Sequence, residues 1–137
     1  MMEPATGQLI DMMKYRIESE KSFDEVVANI ETQTAEHKFR VLAIHDVQAT
    51  LAEKGFERGP LKIIEVCSAP FANEALSHTI DTALFMPCRY TVYEENGKTQ
   101  VVLGRPTMIS QMMPKAGLEN VANKAEETLK SIMQKAI

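Results

Sequence analysis

Residues 14–20, KYRIESE, alternate along the chain: Tyr15, Ile17 and Ser19 fall on one side, Lys14, Arg16 and Glu18 on the other. That period of two is the mark of a half-buried strand. Ser22 and Glu25 follow at capping-box spacing, so a helix begins there, and Val26, Val27, Ile30, Thr34 and His37 keep it amphipathic up to a second strand, FRVLAIH. Asp46 then reads as the N-cap of a short helix closed by Gly55. LKIIEVC (61–67) is a third strand, and Ser68 or Ala69 caps a third helix whose first turn accepts Pro70, where no amide is needed. Residues 83–95 read as a fourth strand. Asn96-Gly97 turns it into a fifth, KTQVVLGR, because this pair supplies the two positive-φ positions of a type I′ hairpin. From about Gly117 the tail is a helix with Leu118, Val121, Ala122, Ala125, Leu129, Ile132, Met133 and Ala136 in one apolar stripe. Residues 1–13 stand outside this alternation as an N-terminal extension, and residues 14–137 form one domain.

The order is β-α-β-α-β-α-β-β-α, which predicts an α+β fold with a mainly antiparallel sheet of about five strands. Because several strands alternate apolar with charged residues, helices are expected on one sheet face only. The other face is open, and parity lines it with Arg16 and Glu18, Glu65 and Cys67, and Arg89, Thr91 and Tyr93. The apolar sets Tyr15/Ile17, Ile64/Val66 and Tyr90/Val92 face the core.

Composition narrows the function classes. The chain has 137 residues, 45% of them hydrophobic, which suffices for a core without disulfides or metal. A formal charge of -4 gives no attraction for nucleic acid or anionic lipid, and no basic run creates a local exception. Neither a nucleic-acid partner nor a membrane is expected. The N-terminal MMEPATGQLIDMM has Glu3, Pro4 and Asp11 where a secretory signal needs a basic start and an unbroken apolar stretch, which points to the cytoplasm.

Two cysteines in a reducing compartment are expected as free thiols, and without CxxC or a Cys/His cluster they supply no metal framework. Parity puts Cys67 on the open face and Cys88, behind Pro87, on the core side, so the two are expected to point apart. Cys67 ends a strand just before a helix N-terminus, where free amides and the helix dipole favour a thiolate; it is the candidate reactive thiol. His45-Asp46 looks like half of a dyad, but adjacent strand residues face opposite ways and Asp46 has a capping role. His37 and His78 lie near helix ends, where an imidazolium complements the dipole. The nine methionines lack the dense MxxM arrays of a soft-metal carrier. Nucleotide, zinc-protease, hydrolase and calcium-loop motifs are absent from the sequence, so no metal and no cofactor is expected.

DVQATLAEKGF (46–56), LKIIEVCSAPFANEAL (61–76) and LFMPCRYTVYEENGKTQV (84–101) resemble, in order and spacing, the domain of unknown function 302 family. The likeness includes Asp46, Lys54 with Gly55, Cys67, Pro70 with Ala72, Pro87 with Cys88, and Glu94, and it spans about residues 14–135. The chain departs from the family pattern at Cys67-Ser68-Ala69-Pro70 and Cys88-Arg89, where relatives tend to read C-N-P and P-C-N. The resemblance implies a compact α+β domain with a curved antiparallel sheet backed by helices, commonly a dimer, with no established activity. Two functions stay open. One is a homodimeric module that binds an unidentified small molecule or partner on the open face, with Arg16, Glu65, Cys67, Arg89 and Tyr93 as candidate contacts. The other is a thiol protein in which Cys67 carries or exchanges sulfur or senses an oxidant. The first, non-enzymatic reading is favoured.

Overall fold

A computed structural model describes residues 6–137 of the chain. Its strands are β1 (Lys14–Ser19), β2 (Arg40–Asp46), β3 (Leu61–Cys67), β4 (Cys88–Glu95) and β5 (Lys98–Gly104). They form one sheet in the order β1-β5-β4-β3-β2, every neighbouring pair antiparallel. The helices are α1 (Thr6–Met13), α2 (Phe23–Glu36), α3 (Val47–Ala52), α4 (Ala69–His78), α5 (Pro106–Met112) and α6 (Glu119–Ala136). This is the α+β architecture read from the alternation of apolar and charged residues.

The caps at Ser22 and Asp46 form as their chemistry dictates, whereas Ser68, the N-cap of α4, makes no side-chain capping bond. The Ser22 hydroxyl accepts from the Glu25 amide at 3.2 Å, and the Asp46 carboxylate accepts from the Ala49 amide at 3.0 Å. Gly55, at φ 84°, closes the α3 turn while the Phe56 amide reaches back to the Leu51 carbonyl at 3.0 Å. Asn96 and Gly97 take φ of 56° and 76°, the two positive values that a type I′ hairpin requires.

Helices α2 and α6 cover one sheet face. Val26 and Ile30 from α2, with Leu129, Ile132 and Met133 from α6, meet Ile64, Val66, Tyr90, Val92, Val101 and Leu103 from the three central strands. Tyr90 is buried whole, and its hydroxyl donates to the Leu129 carbonyl at 2.6 Å, so the one polar atom of this large side chain is satisfied inside the core. The same burial pushes the phenol well above its ordinary value. The C-terminus of α6 is tied back to α2 by Asn29, whose amide donates to the Ala136 carbonyl at 3.0 Å.

Three local features depart from expectation. Residues 6–13 of the N-terminal extension form α1, an element that the alternation does not predict. The fourth strand starts at Cys88 rather than 83: residues 80–85 wind into a 3-10 turn, because the Thr79 hydroxyl accepts from the Asp81 amide at 3.2 Å and the Thr82 hydroxyl donates to the Ala75 carbonyl at 3.4 Å. The turn is followed by a cis Met86-Pro87 peptide. Finally, Pro106 opens α5, a seven-residue helix too short for its periodicity to stand out. The 3-10 turn and α5 build the site described next.

Candidate functional site

Strand register places the open-face residues. Glu65 lies opposite Arg89, Thr91 opposite Ile63 and Val102, and Tyr93 opposite Leu61 and Gln100. Arg16 lies opposite Val102 on the β1 side. The charges on this face are engaged with one another. Glu65 is held at 3.2 Å from His45 Nε2 through one carboxylate oxygen and at 3.4 Å from Arg89 Nε through the other. Arg16 sits 3.7 Å from Glu95, and its guanidinium is held above its ordinary value first by the hydrogen bond to Tyr93. Glu18 accepts from the Gln100 amide at 3.0 Å and lies 3.8 Å from Lys98. Gln100, although on this face, is 1% exposed, and its Oε1 has no hydrogen-bond partner.

Besides the Glu18–Lys98 pair, the face carries two ion-paired clusters. One, Arg16-Tyr93-Glu95, sits toward β1; the other, His45-Glu65-Arg89, sits toward β2. Half-buried Leu61, Ile63 and Val102 lie between them. His45 was invisible as a member because its partner in the cluster, Glu65, stands twenty residues away in sequence and only strand pairing unites them.

A second feature lies at the end of the sheet where β3 runs into α4. There α4, the 3-10 turn, α5 and α6 enclose a cavity of about 80 Å³. Phe39, Phe71, Phe85 and Met86 give it aromatic and thioether walls, Leu118, Val121 and Ala122 from the α6 side give it an aliphatic one, and no charged residue lines it. Phe39 and Phe71 stand edge to face with ring centroids 5.8 Å apart, which fixes the floor. Its polar groups are few: the hydroxyls of Ser68, Thr82 and Ser110, of which Ser110 donates to the Thr107 carbonyl at 2.7 Å, and two thiols.

Those thiols are Cys67 and Cys88, both free and both half-buried. Two expectations about them are corrected. They were expected to point apart, yet both line this cavity, and Cys88 feels the charge of Cys67. Facial alternation holds inside a strand; Cys67 is the last residue of β3, where the chain turns over the sheet end into α4, so parity no longer sets its direction. The helix terminus was expected to favour the Cys67 thiolate. Instead burial pushes the Cys67 thiol up, because withdrawal from water disfavours the thiolate. Cys88 is pushed up to about 11, first by burial and then by Cys67, against a smaller opposing pull from Arg89.

Helix α5 is held over the cavity by a buried carboxylate. Glu126 on α6 accepts from the Thr107 hydroxyl at 2.7 Å and the Thr107 amide at 3.2 Å, and pairs with Arg105 at 3.2 Å and Lys130 at 3.3 Å. Burial alone disfavours the ionised form most, but the bonds from Thr107 and Arg105 together outweigh it, and the carboxyl lies below its ordinary range. Among the described residues, no group of three or more His, Cys, Asp or Glu side chains could hold a metal ion, and no helix is long and apolar enough to cross a membrane.

A five-stranded antiparallel sheet, backed by helices on one face and carrying two thiols in an apolar cavity at one end, defines a small α+β domain of one architectural class. The chain belongs to the family described as "Domain of unknown function DUF302", whose model matches residues 15–136. Among solved structures it is similar to the uncharacterized conserved protein DUF302 from Bacillus stearothermophilus, at 29% identity over 92% of this chain and 99% of that one, with a TM-score of 0.87. No curated protein matches it.

Proposed function

We propose that this protein is a binding domain for a small uncharged apolar molecule, or for the apolar end of a longer one, taken into the cavity between α4, α5, α6 and the sheet end. The observation that carries this reading is a cavity walled by aromatic, thioether and aliphatic groups with no charged residue among them. Ligand sites are concave and mostly apolar, and here the Thr82 and Ser110 hydroxyls already donate to the Ala75 and Thr107 carbonyls, which suits an apolar guest. Size sets the ligand class. At about 80 Å³ the space is roughly half that of an engineered cavity, about 150 Å³, that holds benzene. A guest of a few carbon atoms fits without movement, and a longer one leaves its remainder outside. The open face supports binding less well, since Arg16, Glu65 and Arg89 already have ionic partners there.

Straight-chain alcohols from ethanol to octanol test the reading through their effect on melting temperature at low millimolar concentration. Stabilisation should rise with chain length until the space is filled and then level off; a ligand at about ten times its Kd adds about 1.4 kcal/mol. Ala72→Leu, which adds three carbon atoms to the cavity wall from half-buried α4, should abolish the effect without lowering the melting temperature of the free protein. Arg89→Ala should leave it intact. No stabilisation by any alcohol, or loss in Arg89→Ala with retention in Ala72→Leu, would overturn the proposal.

A further inference from the structure

Cys67 and Cys88 share more than a cavity. Register pairs Val66 with Cys88, so the Cα of Cys67 is the diagonal neighbour of Cys88 across the β3–β4 ladder. With strands about 5 Å apart and a rise of about 3.4 Å per residue, the two Cα atoms stand about 6 Å apart. Disulfides span this separation. Inside a strand the Cβ vectors of such a pair diverge, but Cys67 sits where β3 gives way to α4, both residues line the one cavity, and Cys88 is close enough to feel the charge of Cys67.

We propose that Cys67 and Cys88 are a redox couple, oxidised by a small organic hydroperoxide to a reversible disulfide in the sheet-side wall of the cavity. The inference does not depend on which ligand the cavity otherwise takes.

The chemistry of the walls selects this reaction over the alternatives open to two thiols. Held as thiolates around a soft metal ion, the pair would place charge in a cavity with no charged side chain among its lining residues. A disulfide is neutral, as are the two thiols it replaces. The order of events follows from enclosure. Cys88 is the more enclosed and the more strongly shifted of the two, so Cys67 meets the oxidant first. The Cys67 sulfur attacks the terminal peroxide oxygen and the O–O bond breaks. The alcohol leaves with the thiol proton, and Cys67 becomes a sulfenic acid. The Cys88 sulfur then attacks the Cys67 sulfur, the S–O bond breaks, and the hydroxyl departs as water with the Cys88 proton. Two thiols lose two electrons in all, and the peroxide bond gains them.

The test uses the full-length protein with a slight excess of tert-butyl hydroperoxide, followed by alkylation in denaturant and intact-mass measurement with and without dithiothreitol. The expected product is a single chain lighter by two hydrogens that takes no alkyl group, and that takes two after reduction. Cys88→Ser should stop at a sulfenic acid trapped by a dimedone probe. Cys67→Ser should react at least about tenfold more slowly than the parent. Three results would overturn the proposal: both cysteines still alkylated after exposure, Cys67 driven to the sulfinic acid with Cys88 untouched, or a disulfide found only between two chains.

Discussion

Glu126 shows how a single side chain can organise a site without lining it. Its carboxylate is 6% exposed and joins α6 to the β5–α5 junction through Thr107 and Arg105. A carboxylate whose folded pKa lies below its unfolded value adds stability that is complete above the ordinary carboxylate range and fades as pH falls through the folded value. Glu126→Gln should therefore lower stability by about 2 kcal/mol at pH 7, where a charge-assisted bond is lost. The gap between variant and parent should narrow as pH falls below about 4, the ordinary carboxylate value. Melting curves of both proteins between neutral and acid pH check this; a gap that does not change with pH would show that the carboxylate's charge is unimportant. Local capping residues such as Ser22 and Asp46 were legible because donor and acceptor lie three residues apart. Glu126 was not, since its partners Arg105 and Thr107 stand about twenty residues away and meet it only after α6 has packed.

Among the elements, the β4–β5 hairpin was the clearest in the sequence because its turn demands a backbone conformation that few residues adopt. A Cβ at Gly97 would meet nothing within 4 Å, so conformation alone makes substitution costly there. Gly97→Val should destabilise by about 1–2 kcal/mol through the positive φ, and leave alcohol binding at the distant cavity unchanged. Urea unfolding measures the first, and an unaltered midpoint would refute it. Helix α1 is the opposite case. Leu9, Ile10, Met12 and Met13 are all more than 40% exposed, and the family match begins at residue 15, after α1 ends. Its ties to the domain include two bonds from Arg105, to the Met13 carbonyl at 2.8 Å and the Met12 carbonyl at 3.2 Å. We propose that residues 1–11 are dispensable for folding. Deleting them should keep a single cooperative transition with the melting temperature within a few degrees, since about 1 kcal/mol shifts it by roughly 2–8 °C in domains of this size range. A shift well beyond that would make α1 part of the domain.

At the scale of the whole molecule, one sheet face is covered by two helices and the other carries paired charges around half-buried Leu61, Ile63 and Val102. We propose that the protein is a homodimer in which a second copy covers this open face, since closed two-fold pairing is the commonest way for a small domain to bury an apolar strip. Sedimentation at micromolar concentration should give twice the 15.3 kDa chain mass, and an Ile63→Lys variant should sediment as the single chain with its fold intact. Only monomer for the parent protein would defeat this.

The split between what the chain alone determined and what packing decided follows the range of the interactions involved. Alternation in KYRIES, LKIIEVC and CRYTVYEE sorted core from open face, and Asn96-Gly97 and the helix caps placed the breaks between elements, because each depends on neighbours within a few residues. Strand order and the His45-Glu65-Arg89 cluster came only from the pairing of β2, β3 and β4. The cavity was equally hidden: its walls are drawn from Phe39, Phe71, Phe85 and Leu118, four segments with no local signal in common. Cys67 and Cys88 mark the boundary between the two regimes. Facial alternation assigned both correctly as strand residues, yet it could not foresee that β3 ends at Cys67 and that α4 turns across the sheet end, bringing both thiols to one cavity.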